Sequence, residues 1–169
     1  YFGTSLSMVQ YTIFFYTIGF SFGALFFGPI SDRIGRRPVI LWSLVLAAFG
    51  CLIALISTNL NILFAARLIQ GVALVGVGST MRAVTKDICT DKEEMAKFGA
   101  LLGIAIPIAA AAAPVIGGYI EKYANWRISF AFLLVYTLIF LMYTVKKLPE
   151  TNHEKLERPF KFLLLDYKE

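Results

Sequence analysis

Residues 28–38 read GPISDRIGRRP, so that Asp32, Arg33, Arg36 and Arg37 crowd into six positions of a chain that is 58% hydrophobic. On either side of this stretch lie long apolar runs, residues 4–28 and 38–57, and three more follow at 61–82, 98–120 and 127–145. Each is close to the roughly 20 residues a helix needs to cross a hydrocarbon core about 30 Å thick. The mean hydropathy of +0.71 and a charged fraction of 16% are far from those of a water-soluble domain. The charged stretch therefore reads as a tight turn at a membrane surface. The expected fold is an all-α polytopic membrane protein of five transmembrane helices, with a bundle over residues 1–145 and a polar segment over 146–169.

Glycine and alanine recur inside the runs, at 19–23, 71–78 and 105–114. Small residues allow close helix approach where lipid supplies no hydrophobic drive for association, so a packed bundle is expected. Lysine and arginine fix its orientation. The first, third and last breaks hold Arg33, Arg36 and Arg37, then Arg82, Lys86, Lys92 and Lys97, then Lys146 and Lys147; the other two hold only Lys122 and Arg127. By the positive-inside rule the first group is cytoplasmic, and Tyr1 lies outside. Five spans that begin outside and end inside, with no initiator Met, predict a further helix before Tyr1. The run Phe160–Leu165 is too short to span and suits either an amphipathic helix on the inner surface or a disordered tail.

Cys51 lies mid-span and Cys89 in a cytoplasmic loop, which argues against a mutual disulfide. The single histidine, His153, leaves no metal-ligand spacing, and no nucleophile or phosphate-loop motif is present. An enzymatic reading has almost no support in these residues. In the turn, Gly35 can take a positive φ cheaply and Pro38 suits the first turn of the following helix. Topology accounts for the arginines but not for Asp32. A carboxylate at a helix C-terminus opposes the macrodipole and needs a cation or the positive end of another helix.

Arg67 is the other costly charge. It stands six residues beyond Asn61, about 9 Å of helix rise, and must lie inside the bundle or snorkel outward. Arg67, Gln70, Gly71, Leu74 and Gly78 share one helix face. Pro107 and Pro114 remove two backbone donors from one span, while Gly117 and Gly118 permit close contact; ordinary proline tolerance in membrane helices is the plainer reading. Every one of the 11 acidic residues falls at a break or in the tail.

Gly28, Asp32, Arg33, Gly35, Arg36, Arg37 and Pro38 together resemble the G-x-x-x-D-R-x-G-R-[KR] signature of the major facilitator superfamily, between its second and third helices. Residues 67–87, RLIQGVALVGVGSTMRAVTKD, resemble its R-x-x-Q-G motif on helix four through Arg67, Gln70 and Gly71. Residues 107–120, PIAAAAAPVIGGYI, resemble the helix-five antiporter motif through Pro107, Pro114, Gly117 and Gly118, with Ala113 where a glycine is usual. LPET at 148–151 looks like the start of the central cytoplasmic loop. The chain thus resembles helices two to six of a twelve-helix transporter, most of its N-terminal six-helix bundle, of the drug:proton antiporter, bicyclomycin-resistance type.

The resemblance implies alternating access about a central site near the midplane. It implies that Asp32 meets the N-terminal end of helix eleven, and that Arg36 bridges Asp32 to Asp87 in a latch that favours the outward-facing state. It places Arg67, Gln70 and Gly71 on the central cavity and makes span five a seal against proton leak. The partners it implies are a small-molecule substrate, protons, membrane lipid and a C-terminal half of the same transporter, with no nucleic acid. The proton gradient of a bacterial inner membrane would drive it, without cofactor or metal, and the proton carrier would lie outside the spans present. A proton symporter or facilitator of the same superfamily, and a non-transporting membrane anchor, are the alternatives.

Overall fold

The computed structural model describes residues 6–89 and 91–151; the reading of 160–165 and the placement of Tyr1 lie outside the described residues. Among the described residues five helices follow one another: α1 (Leu6–Ile34), α2 (Arg36–Ile56), α3 (Leu60–Ile88), α4 (Lys92–Tyr123) and α5 (Trp126–Lys147). All five are long and apolar enough to cross a membrane. Their boundaries have local causes. Gly35, at φ 112°, separates α1 from α2 in a single residue. The Asn59 side chain caps α3 by accepting from the Ile62 N–H at 3.0 Å. Asn125 does the same for α5 through the Arg127 N–H. Glu93 and Glu94 occupy the first turn of α4, where the macrodipole favours negative charge.

The helices outrun the apolar stretches at the basic end of the molecule. The turn expected over 28–38 shrinks to Gly35, because α1 continues through Pro29 to Ile34. Likewise α3 runs to Ile88 and α4 starts at Lys92. Hydropathy measures only what lies in hydrocarbon, whereas backbone hydrogen bonding carries a helix on through the interface.

The middle of the assembly is α3, which packs chiefly against α1 and α2, while α2 also packs against α5. Glycine explains how closely α1 and α3 approach. A Cβ on Gly71 would overlap the Tyr16 carbonyl oxygen and lie 2.8 Å from the Phe20 nitrogen, and one on Gly19 would overlap the Leu68 carbonyl. On the other side of α3, Ala54 of α2, Leu63 and Ala66 of α3 and Phe130 of α5 form one buried cluster, and Ile40, Leu44 and Val84 form another between α2 and α3. The outward faces stay apolar, with Trp42 73% exposed, as a lipid-facing surface requires. By contrast α4 buries none of its residues, and Gly117 and Gly118 have no neighbour within van der Waals reach among the described residues. The close contact expected at those two glycines is not made by α1, α2, α3 or α5.

Candidate functional site

Three helix ends converge at the basic face. The last turn of α1 delivers Ser31 and Asp32, the first residue of α2 is Arg36, and the last turn of α3 delivers Asp87. The helix break at Gly35 puts Asp32 and Arg36 four apart across two helices, and the Arg36 guanidinium meets all three side chains. Its Nη1 donates to Asp32 Oδ1 and, at 2.7 Å, to Ser31 Oγ; its Nε donates to Asp87 Oδ2 at 3.0 Å. The planar fork of arginine suits such divided donation, which a lysine ammonium cannot reproduce. The Arg36 side chain is 11% exposed, against 41% for Asp32 and 26% for Asp87. One desolvated cation therefore sits between two carboxylates that keep part of their hydration, an arrangement that ties α1, α2 and α3 together at one rim.

The rest of the signature supports that arrangement. Ser31, fully buried, donates in turn to the Gly28 carbonyl at 2.8 Å, which holds its oxygen toward Arg36. Arg37 Nη2 donates to the Val145 carbonyl at 2.9 Å near the end of α5. Arg33 lies partly buried in the same turn. Glu150, just beyond α5, accepts from the Arg36 N–H at 2.8 Å and the Arg37 N–H at 3.3 Å. Thr151 Oγ1 lies 3.5 Å from Asp87 Oδ2. Asp32, Arg36 and Asp87, the three residues that the resemblance links, lie together, and Ser31, Glu150 and Thr151 join them unannounced. A signal for Glu150 was present: Gly35 has no side chain to cap α2, so the first N–H groups of that helix need an acceptor from elsewhere.

A second cluster lies within the spans. Arg67 Nη1 donates to Gln70 Oε1 at 3.1 Å, and Gln70 Nε2 donates to Cys51 Sγ at 3.3 Å. The guanidinium stands 5.0 Å from the Phe130 ring centre and 5.9 Å from that of Tyr16, within cation–π range. Its Nε is buried without a hydrogen-bond partner among the described residues. Arg67 is therefore inside the bundle and does not snorkel. It lines a cavity of about 340 Å³ with Thr12, Gly117, Glu121 and Trp126. The sequence reading put Glu121 at a break, but α4 extends to Tyr123 and carries this carboxylate onto the same wall.

The expected stripe on α3 divides along its length. Gln70 and Gly71 are buried, whereas Leu74 and Gly78 are exposed, and Gly78 lines a second cavity of about 640 Å³ with Met81, Arg82, Met95 and Gly103. Pro107 and Pro114 stand inside α4 without interrupting it. Cys51 and Cys89 are free, buried thiols.

Comparison with known proteins follows the same outline. Over 161 residues, 95% of the chain, 34% are identical to Multidrug resistance protein D of Escherichia coli, covering 40% of that protein. A bicyclomycin resistance protein homolog of Haemophilus influenzae is 30% identical across 95% of the chain and 40% of its own length. The chain thus spans about 40% of the length of these curated relatives. Among solved structures, the human organic anion transporter MFSD10 (TETRAN) superposes with a TM-score of 0.72 at 23% identity, over 95% of the chain and 39% of that structure, a likeness of fold. The family model of the Major Facilitator Superfamily matches residues 1–166. Five membrane-spanning helices, the Arg36 cluster at their rim and this match lead to one conclusion: the chain is a multi-pass membrane segment that belongs to the Major Facilitator Superfamily of transporters, and not an enzyme.

Proposed function

We propose that the chain forms the larger part of the N-terminal bundle of a bacterial inner-membrane exporter, which moves small drug-like molecules or metabolites outward in exchange for protons by alternating access. The observation that carries the reading is the Arg36 cluster. A cation bonded to Asp32, Ser31 and Asp87 braces three helix ends at the rim that positive-inside topology places in the cytoplasm. Asp32 is the more exposed of the two carboxylates, and the positive end of a helix from a C-terminal half meets it at this rim. In the cytoplasm-closed state this contact holds the inner mouth shut, and its release accompanies opening. The drug-resistance names of the relatives from Escherichia coli and Haemophilus influenzae support export as the direction and drug-like molecules as the cargo. The proton gradient supplies the energy, and no cofactor is required. Arg67 contributes to coupling by presenting a buried cation to the cavity.

The test uses the complete transporter in inside-out vesicles, with substrate uptake driven by an imposed pH difference. Asp32→Asn is expected to reduce uptake at least tenfold while expression and membrane insertion stay normal. Uptake by the variant at the unmutated rate, or wild-type uptake that ignores the pH difference, contradicts the proposal.

A further inference from the structure

The latch would be expected to hold itself together, yet its central residue stands at a helix start with no cap of its own. Gly35 offers α2 no side-chain acceptor, so the N–H groups of Arg36 and Arg37 open toward whatever lies next to them. What lies there is Glu150, 114 residues from Arg36 in sequence. Its Oε1 accepts from the Arg36 N–H at 2.8 Å and its Oε2 accepts from the Arg37 N–H at 3.3 Å. Oε1 also accepts from the Thr151 N–H at 3.1 Å, which turns the chain back over the helix end.

The site is built around this carboxylate. A Cβ on residue 35 would stand 2.5 Å from Glu150 Oε2, and the φ of 112° disfavours any residue that has one. Glycine is therefore required here twice over, once for the backbone turn and once to admit the carboxylate. Thr151 Oγ1, near Asp87, draws the same segment against the latch, and Arg37 Nη2, on the Val145 carbonyl, ties the end of α5 to the start of α2.

We propose that Glu150 is the positioning residue of the cytoplasmic latch: by clamping the backbone of Arg36 and Arg37 it aims the Arg36 guanidinium at Asp32 and Asp87, and it couples the segment leaving α5 to the gate. The inference rests on the latch reading above. A negative group at a helix start is favoured by the macrodipole, and donors bonded to a charged acceptor are held more firmly than those bonded to water. When the segment after α5 moves, the carboxylate leaves the helix end and Arg36 loses its fixed base. The segment thereby acts as a lever on the gate through the first N–H groups of α2.

The experiment measures pH-driven transport by the complete protein for Glu150→Ala, Glu150→Gln, Asp32→Asn and the doubles. Glu150→Ala is expected to lower Vmax about 3- to 30-fold, the range typical of losing a helix-end acceptor, with KM unchanged because the substrate site is untouched. Glu150→Gln retains one acceptor oxygen and is expected to lose less. In the Asp32→Asn background, Glu150→Ala is expected to add almost nothing, since both act through one device. If Glu150→Ala lowers the yield of folded protein, the glutamine variant and its double carry the same comparison. Asp32→Asn with full activity removes the latch reading itself. Asp32→Asn with lost activity beside an unimpaired Glu150→Ala overturns the role of Glu150 alone, as does a Glu150 loss that raises KM or simply multiplies with that of Asp32→Asn.

Discussion

Replacing Arg36 separates a brace from a decoration. The side chain donates to two carboxylates, those of Asp32 and Asp87, and to the uncharged hydroxyl of buried Ser31. A hydrogen bond to a charged group contributes roughly 1.5–3 kcal/mol where it is desolvated. Because the two carboxylates are 41% and 26% exposed, each bond is discounted to about 1 kcal/mol. With a further ~0.5 kcal/mol from Ser31, Arg36→Ala is expected to weaken the rim by about 2–3 kcal/mol, or roughly 30- to 150-fold in the local closed-to-open ratio. Arg36→Lys keeps the charge but can serve one carboxylate at a time, so about 5- to 30-fold is expected. The protein carries its own reporter. Cys89 ends α3 two residues from Asp87 and is 8% exposed. In a Cys51→Ser background, which keeps an acceptor for Gln70, the rate of Cys89 alkylation by an impermeant maleimide in inside-out vesicles measures the loosening. The expected order is Ala fastest, Lys intermediate and wild type slowest. Equal rates for all three would refute the claim that the guanidinium holds these helix ends.

Two other positions test the packing and the buried cation. Gly71→Ala forces a methyl group into the α1 backbone at Tyr16 and is expected to lower the melting temperature in detergent by several degrees, whereas Gly78→Ala, with open space around it, is expected to leave it unchanged. A similar melting temperature for the two means that α1 and α3 do not touch at Gly71. Arg67→Met removes a buried cation whose Nε is unpartnered, so it is expected to raise the melting temperature by a few degrees while pH-driven transport falls at least tenfold. A stable Arg67→Met protein that transports normally shows that the charge serves neither coupling nor the cavity.

Much of this arrangement was legible in the sequence because lipid makes the rules strict. Apolar run length yields the helix count, and a lone carboxylate among arginines demands a partner, which Arg36 supplies. Helix ends were misjudged because hydropathy stops at the interface and hydrogen bonding does not; at the basic rim α1 crosses Pro29 to reach Ile34, and at the opposite end α4 carries Glu121 onto a cavity wall. The uncapped start of α2 at Gly35 showed that an acceptor was needed, but not that Glu150 supplies it, because its two donors lie more than a hundred positions away, a distance that no local pattern spans. Ser31 was hidden by its neighbour: a serine before Asp32 reads as turn chemistry until the guanidinium is seen to bond both. The stripe from Arg67 to Gly78 was placed on one face by helix geometry alone, yet only contact with α1 and α2 decides which part of it is buried.

The central claim is that one shared cation holds the inner rim closed. Spin labels placed on the cytoplasmic end of α3 and on the facing end of the C-terminal half of the complete transporter report the width of that rim by pulsed electron resonance. A wild-type distribution dominated by the short distance, moving toward the long one in Arg36→Ala and in Asp32→Asn alike, is the predicted result. Identical distributions in all three proteins contradict it.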